Sequence, residues 1–272
     1  MTKYKLIAFD ADDTLWDCQS HFVNIEEKYA SLLSDYGIAP DEVKKNLFAT
    51  ECANMPLLGF GVKAFMLSLI ENANRMTEGR IGGKGIDRIM ELGRQLLTFD
   101  PNPLDGVEEV LTELSDNADI KLAVFTKGEL LDQNSKLDRS GLRHYFDLVE
   151  VVNDKTPDAV RALCRLAGVK PDDLLMVGNS FKSDVEPTIA TGASAVYIPT
   201  HHTWEYEKTE EYAHTRVTKI SNIRELLQIV KIFLHPLMSL APHGFYSPHG
   251  YIAHLVPHGF HRFHGYLDLW SL

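Results

Sequence analysis

The amino-acid sequence predicts an α/β protein with a doubly wound, Rossmann-like, mostly parallel sheet and an inserted all-helical domain. Two patterns support this fold class. Short apolar runs without polar alternation occur at 4–9, 120–125, 174–177 and 193–198, and such runs are typical of parallel strands that are buried on both faces. Helical patterns separate the later runs, and a regular alternation of strand and helix is typical of a doubly wound sheet.

Four helices are predicted in the sheet-forming part of the chain. Their patterns cover 104–115, 129–140, 156–167 and 184–191. Gly168 and Gly192 directly follow the last two, and glycine is the usual residue just beyond a helix C-terminus. Ligands of such a sheet bind at the carboxyl ends of its strands, so functional residues are expected along that edge.

Residues 16–100 interrupt this alternation. They show no convincing strand pattern, and apolar residues recur with helical spacing in four segments, 21–36, 41–53, 56–73 and 86–97. A glycine-rich turn at 78–85 separates the last two helices. The sequence therefore predicts an α/β core from residues 1–15 and 101–222 and an inserted helical domain from residues 16–100.

The C-terminal part differs in composition from the rest. A helix is predicted at 223–234, and residues 235–272 then hold seven of the 12 histidines in a loose Pro-His-Gly repeat. The histidines match no fixed metal-ligand spacing. We expect a weakly structured appended tail, although its seven aromatic residues also allow packing on the core or on a partner.

Charge and cysteine content limit the possible partners and compartments. The 272 residues include 27 Lys and Arg and 38 Asp and Glu, a net charge of −11, and an acidic surface repels nucleic-acid phosphates. The three cysteines form no C-x-x-C pair, no signal peptide is recognisable, and the most apolar later stretch, 226–240, is interrupted by polar residues. We expect a cytoplasmic protein that binds neither nucleic acid nor membrane, and the oligomeric state is left open.

An acidic pair follows the first predicted strand. Asp10 and Asp12 lie in the segment FDADDT, and alternate residues of an extended segment point to the same side. One carboxylate of such a pair can attack an electrophile while the other handles the proton of the leaving group. The alternative is an Asp-rich turn in which Asp13 and Thr14 cap the next segment.

Further polar residues follow the other predicted strands or precede the helices after them. Thr126 and Lys127 close the strand LAVF, Lys155 precedes a helix, and the loop GNSFKSD contains Asn179 and Asp184. The fold would bring all of them to one edge of the sheet.

This ordered set resembles the haloacid dehalogenase (HAD) superfamily, in a phosphatase-like branch with a helical cap. The resemblance covers about residues 4–200. The first of its four motifs is a strand followed by D-x-D-x-T, here Asp10, Asp12 and Thr14, and the second is a strand followed by Thr, here Thr126. The third is a lysine, here Lys155. The fourth is a G-(D/N)-S loop with an acid, here Gly178, Asn179, Ser180 and Asp184.

The resemblance implies roles for the core residues. Asp10 would attack phosphorus and form an aspartyl-phosphate, and Asp12 would protonate the leaving alcohol and then activate water. Thr126 and the amide of Lys127 would bind the phosphate oxygens. Lys155 would offset the charge between the nucleophile and the phosphate.

The resemblance also implies a magnesium site formed by Asp10, the backbone carbonyl of Asp12, Asn179 and Asp184. Asn179 departs from the usual acid of the fourth motif. An amide oxygen still ligates Mg²⁺ but carries no charge, so Asp184 is expected to contribute more of the binding.

The implied function is a Mg²⁺-dependent phosphohydrolase for small phosphate monoesters. Asp12 favours it, since an alkoxide leaving group needs a proton and a halide does not. A 2-haloacid dehalogenase, a phosphomutase and a catalytically weak phospho-ligand-binding protein remain alternatives.

The inserted domain would act as a cap that admits a small phosphorylated substrate and moves about hinges at 15–17 and 98–103. Four insert cations are candidate contacts for an anionic substrate, although most are expected on a solvated face: Lys63, Arg75, Arg80 and Lys84. His201, His202 and Trp204 are predicted to pack in a loop or to contact the rim of the site.

Overall fold

The protein is described from a computed structural model, which places residues 3–200 and 203–231. These residues contain a six-stranded, fully parallel sheet with the strand order β3-β2-β1-β4-β5-β6. The strands are β1 Leu6–Phe9, β2 Lys121–Lys127, β3 Leu148–Val152, β4 Leu174–Gly178, β5 Ser194–Tyr197 and β6 Val217–Lys219. The predicted doubly wound α/β fold is confirmed.

The central strand β1 is buried on both faces. Ile7 and Phe9 belong to one apolar cluster and Leu6 and Ala8 to another on the opposite side of the sheet. Double burial removes the need for polar residues at alternate positions, which explains the unalternated run in the sequence. The strand order reverses between β1 and β4, and this reversal opens the crevice in which doubly wound proteins bind ligands.

Two strands were not predicted from the sequence. β3 has the sequence LVEVV and is only half-buried along its length, and β6 has three residues at the other edge of the sheet. Both are edge strands, where an apolar run is not required because one side pairs with nothing and solvent reaches the chain. Pattern recognition found the interior strands and missed these two.

Nine α-helices surround or extend the sheet within the described residues. The first four of the five helices between β1 and β2 are called the helical insert below: α1 Gln19–Ser34, α2 Pro40–Leu58, α3 Val62–Met76 and α4 Gly82–Thr98. The others are α5 Val107–Ser115, α6 Leu130–Arg139, α7 Pro157–Ala167, α8 Glu186–Ile189 and α9 Glu225–Lys231. The helical insert encloses an apolar cluster of its own, which includes Tyr29, Leu33, Leu69, Ile89 and Leu96.

The boundaries of three insert helices differ from the predicted ones. The helix α2 continues through Pro56, and the break before α3 is made by Gly59 and Gly61, whose φ angles of 73° and 128° suit glycine. The helix α4 starts at Gly82, inside the segment predicted as a turn. Gly85 packs against Ile81 so closely that a Cβ would lie 2.6 Å from that side chain, so tertiary packing of this turn outweighs the low helix propensity of glycine.

The predicted helix at 184–191 is also corrected. Phe181–Val185 forms a π-helical turn, and the α-helix α8 is only four residues long. The Ser180 side chain accepts a hydrogen bond from the Ser183 amide at 3.0 Å, which starts the turn three residues earlier than apolar spacing indicated.

The chain passes between core and helical insert at two adjacent points. Trp16 forms isolated bridges to Asp12 and to Pro103, and the amide of Leu104 donates to the carbonyl of Leu15 at 2.9 Å. The predicted hinges at 15–17 and 98–103 therefore lie side by side. The division into domains and the hinge motion stay predictions.

Some predictions fall outside the described residues, namely those for His201, His202 and the tail 235–272. None of the described helices combines the length and the apolar composition needed to cross a bilayer.

Candidate active site

The seven residues predicted for the site meet at the carboxyl edge of the sheet. All of them line one cavity of about 200 Å³, called the central cavity below, whose opposite wall comes from α1, α2 and α3 of the helical insert. They are Asp10, Asp12, Thr126, Lys127, Lys155, Asn179 and Asp184.

Asp10 leaves the end of β1 and is buried at the bottom of the cavity. Its backbone amide still donates to the carbonyl of Val177 at 2.9 Å, so the sheet fixes its position. One carboxylate oxygen forms an ion pair with Lys155 Nζ, and the other lies 3.3 Å from Thr14 Oγ1. Burial raises the pKa of Asp10 to about 7, although Lys155 acts in the opposite direction.

Lys155 joins the two buried acids of the site. Its ammonium contacts Asp10 and lies 2.6 Å from Asp184 Oδ1. Burial alone would lower the pKa of Lys155, but the two carboxylates outweigh burial and raise it. The lysine is therefore a fixed positive charge between two acids.

Asp184 reaches this position because residue 178 is glycine. A Cβ on Gly178 would lie 2.2 Å from Asp184 Oδ2, a distance that no side chain permits. The same oxygen accepts a hydrogen bond from the Ser180 amide at 2.9 Å. The glycine of the G-N-S loop thus provides the space that the carboxylate occupies.

Thr14 places two further oxygens close together. Its Oγ1 lies 3.3 Å from Asp10 Oδ2 and 3.2 Å from Asn179 Oδ1. A hydroxyl has one proton to donate, so one of these two acceptors always remains without it. The oxygens of Asp10, Thr14 and Asn179 therefore include more hydrogen-bond acceptors than the single Thr14 proton can satisfy.

These oxygens fit a hard cation. In residues 3–200 and 203–231, no group of three or more His, Cys, Asp and Glu side chains is arranged to hold a metal ion. The available donors are instead two carboxylates and one amide, from Asp10, Asp184 and Asn179. An all-oxygen donor set of this kind suits Mg²⁺, which is bound in proteins by few side chains and several waters.

Asp12 has different neighbours from Asp10. Its carboxylate accepts hydrogen bonds from Trp16 Nε1 at 2.7 Å, from Gln133 Nε2 at 2.8 Å and from Lys136 Nζ at 2.7 Å. Burial would raise the pKa of Asp12, but Lys136 and the hydrogen bonds together lower it. Asp12 is therefore a carboxylate in this arrangement.

Sequence reasoning missed Gln133 and Lys136. Both lie on α6, whose polar face is turned toward Asp12, whereas Leu130 and Leu131 of the same helix are 68% and 74% exposed. Apolar periodicity predicts the reverse orientation. The available signal was the position of Asp132 and Gln133, four and three residues before Lys136, directly after the loop that follows β2.

The side chain of Lys127 points away from Asp10. Its Nζ lies 2.7 Å from Ser183 Oγ, forms an ion pair with Glu207 and lies 4.4 Å from the centre of the Phe60 ring. Glu207, which sequence reasoning also missed, accepts hydrogen bonds from Ser180 and Ser183 as well. Because the side chain has these partners, the backbone amide of Lys127 is the group predicted to contact phosphate.

The insert wall of the cavity combines apolar residues, among them Phe22, Met55 and Phe65, with two acids and other polar residues. Glu26, Glu51, Asn54 and Ser68 line it, whereas none of the four candidate insert cations does. Three of those cations have other partners among the described residues: Lys63 pairs with Glu129, Arg75 contacts Thr50 and Arg80 donates to the Thr77 carbonyl. Trp204 lines the cavity as expected for a rim residue and packs against Phe60 and Tyr206.

Comparisons with known proteins agree with this geometry. Residues 4–190 match the family model described as haloacid dehalogenase-like hydrolase. The solved structure of a haloacid dehalogenase-like family hydrolase from Xanthomonas campestris has a TM-score of 0.75 at 30% identity and covers 85% of this chain and 92% of that one.

Two curated relatives are phosphatases. The N-acylneuraminate-9-phosphatase of Homo sapiens is 26% identical over 131 residues, which are 46% of this chain, so the match spans about half (52%) of that relative's length. The glyceraldehyde 3-phosphate phosphatase of Methanothermobacter thermautotrophicus is 25% identical over 238 residues, 83% of this chain and 99% of that one. With the family model matching well over half of its length, the chain belongs to the haloacid dehalogenase-like hydrolases.

Proposed function

We propose that this chain is a Mg²⁺-dependent phosphohydrolase that cleaves small phosphate monoesters through an aspartyl-phosphate intermediate. The observation that carries the proposal is a pair of carboxylates at the end of β1 with different partners. Asp10 forms an ion pair with Lys155, and Asp12, two residues later, forms one with Lys136. Relatives named as phosphatases support the same reaction class.

Asp10 is the proposed nucleophile. One of its carboxylate oxygens forms a bond to phosphorus while the bond from phosphorus to the ester oxygen breaks, and the leaving oxygen takes a proton. Lys155 favours the ionised form of Asp10 against the effect of burial and offsets the charge of the approaching phosphate. The hydroxyl of Thr126 and the amide of Lys127 are the proposed donors to the phosphate oxygens.

Asp12 is the proposed acid and base. When protonated it donates to the oxygen of the leaving alcohol, and when ionised it takes a proton from the water that hydrolyses the aspartyl-phosphate. Its ion pair with Lys136 favours the second role. The first role requires that this ion pair loosen when the substrate binds.

Mg²⁺ would be held by Asp10, the backbone carbonyl of Asp12, Asn179 and Asp184. When bound, it supplies positive charge that screens the carboxylate from the anionic ester. The amide at Asn179 keeps the site one charge less negative than a site with an acid there. Asp184, held by the Ser180 amide, is the stronger ligand of the two.

The test is phosphate release from p-nitrophenyl phosphate and a panel of small phosphate esters, with Mg²⁺ and with a chelator. We expect metal-dependent turnover that falls by at least about 1,000-fold in Asp10→Asn, because the amide is a poor nucleophile. Asp35→Asn changes an exposed acid that does not line the cavity and serves as the matched control. Halide release from 2-chloropropionate without phosphate release would instead establish a dehalogenase, and silence in every assay would contradict the proposal.

We also place the protein in the cytoplasm. Its three cysteines, Cys18, Cys52 and Cys164, are free thiols, and unpaired cysteines are the norm in a reducing compartment.

A further inference from the structure

Three buried side-chain oxygens of the described residues have no hydrogen-bond partner. They are Glu51 Oε1, Asp132 Oδ1 and Gln133 Oε1, and all three residues line the central cavity. Glu51 also lines a second cavity, beside Lys44 and Phe48, but the central cavity is the one of the two that all three residues share. Buried polar groups are normally satisfied, so an unpaired set around one cavity indicates a ligand that completes it. All three atoms are oxygens of carboxyl or amide groups, which call for donors from that ligand.

The orientation of Gln133 is fixed by its other contacts. Its Nε2 donates to Asp12 Oδ2 at 2.8 Å and to the Lys127 carbonyl at 3.0 Å. A flipped amide would place an oxygen against two acceptors. Oε1 is therefore an acceptor that faces away from Asp12.

The unpaired oxygens lie on both walls of the cavity. Asp132 and Gln133 belong to α6 of the core, whereas Glu51 belongs to α2 of the helical insert and is 8% exposed. A molecule that satisfies all three must span from the reacting edge to the insert wall. This places the contacts on the part of the substrate that departs, since the phosphate end is taken by the Asp10 edge.

Among the residues that the structure describes, the cavity offers no free lysine or arginine to a second anionic group. Its lining lysines are Lys127, Lys136 and Lys155, and each is ion-paired with a carboxylate. The insert wall adds Glu26 and Glu51 and neither lysine nor arginine. A carboxylate on the departing group would therefore lie among acids without compensation.

We propose that the departing group of the substrate is an uncharged polyhydroxylated chain or ring, whose hydroxyls donate to Glu51, Asp132 and Gln133, and that esters carrying a carboxylate there are rejected. This specificity rests on the phosphohydrolase function proposed above. Glu51 is its determinant on the insert wall, because it is the one of the three that lies outside the catalytic core. Burial and the neighbouring Glu26 raise the pKa of Glu51 to about 8 while a hydrogen bond from Trp204 lowers it. Further donors from a ligand hydroxyl to Oε1 would favour the ionised form of Glu51 in the same way.

The test compares pairs of esters that differ only in a terminal CH₂OH or COO⁻ group. The pairs are glycerol 3-phosphate with 3-phosphoglycerate, erythritol 4-phosphate with 4-phosphoerythronate, and glucitol 6-phosphate with 6-phosphogluconate. In the pair that is turned over best, we expect kcat/KM for the polyol ester to exceed that for the acid by about tenfold or more. In Glu51→Lys, we expect this ratio to fall by about tenfold or more through a gain for the acid, which misfolding cannot produce.

Glu91→Lys, an exposed charge reversal on α4, is the matched control and leaves the ratio unchanged. A wild-type ratio of one or less, or a ratio that Glu51→Lys does not move, overturns the specificity. Turnover of p-nitrophenyl phosphate in the same preparation shows that the phosphohydrolase function itself stands. Loss of that turnover as well would place the failure in the proposed function.

Discussion

Asp10 and Asp12 are two residues apart, yet their pKa values shift in opposite directions. Burial dominates at Asp10, whose single cation Lys155 is shared with Asp184. Lys136 and two neutral donors outweigh burial at Asp12. Two carboxylates of one motif thus receive opposite pKa shifts from residues far away in the sequence. The proposed roles need an ionised Asp10 and, in the first step, a protonated Asp12, so they require a cation that favours ionised Asp10 and a loosened Asp12–Lys136 ion pair.

The ion pair of Asp12 with Lys136 is expected to stabilise the fold. Lys136→Met leaves a carboxylate without its cation, and we expect the free energy of unfolding to fall by about 2–3 kcal/mol, less than for a fully buried pair, since the Asp12 side chain is 27% exposed. Urea denaturation at pH 7 of both single variants and of Asp12→Asn/Lys136→Met measures the coupling. Additivity of the single effects within about 0.5 kcal/mol would show that the pair contributes no interaction energy. Lys5→Met removes an exposed pair and is the control, with an expected loss of less than about 1 kcal/mol.

At the scale of elements, α6 shows how a site can orient a helix. Its leucines face solvent and its buried face carries Asp132, Gln133 and Lys136. Gln133 and Lys136 bind Asp12, so polar contacts with the end of β1 decide how α6 is oriented. The first two leucines of the helix are left exposed to solvent as a result. Apolar periodicity therefore fails here for a physical reason, and such failures are expected at functional sites.

The helix α2 contributes Glu51, with its unpaired oxygen, to the insert wall of the cavity. This buried acid makes the stability of the fold depend on pH. The pKa of Glu51 is raised from 4.5 to about 8, so the folded state binds a proton that the unfolded state has already lost, and stability falls as pH rises through this range. A tenfold change in proton affinity corresponds to about 1.4 kcal/mol. We therefore expect Glu51→Gln to gain about 4 kcal/mol relative to wild type on going from pH of about 4.5 to about 8.

Thermal or urea unfolding of both proteins across this pH range provides the measurement. Glu26 also faces this wall and remains in both proteins, so only the difference between them reports on Glu51. Glu91→Gln, which alters an exposed acid, should follow wild type at every pH. A constant difference between Glu51→Gln and wild type would contradict the raised pKa.

At the scale of the whole molecule, the core and the helical insert meet around the central cavity. The chain crosses between them twice, and Trp16 is fully buried where the crossings touch, with its indole on Asp12 and its backbone against Pro103. A motion that opens the cavity about these crossings would change the surroundings of Trp16. Asp12, the proposed base, and the proposed hinge thus share one contact.

We expect the emission of Trp16 to change when a phosphate ester and Mg²⁺ bind. The measurement uses Trp204→Phe/Trp270→Phe, which leaves Trp16 as the single tryptophan, in an Asp10→Asn background that prevents turnover. Addition of ester alone and of Mg²⁺ alone are the controls. An emission spectrum that stays unchanged at saturating ester and Mg²⁺ would place the hinge elsewhere.

The sequence by itself determined the fold class and the positions of the chemistry along it. Doubly buried strands require apolar runs, and the carboxyl ends of parallel strands meet at one edge, so the sequence alone predicts that Asp10, Thr126, Lys155 and Asp184 converge. The edge strands β3 and β6 were not predicted, because strands at exposed edges tolerate polar residues and so lack a continuous apolar run. The local sequence pattern was sufficient to locate a strand wherever the strand is buried on both faces, because such a strand must consist of apolar residues.

Only the tertiary structure decided the state of each group in the site. Lys136 meets Asp12 across 124 positions of the chain and Glu207 meets Lys127 across 80, and no local period records such contacts. The charges of the cavity walls and the unpaired oxygens of Glu51, Asp132 and Gln133 likewise depend on which faces of α2 and α6 turn inward. Electrostatic environment is a property of neighbours in space, so it follows from packing and not from spacing along the chain.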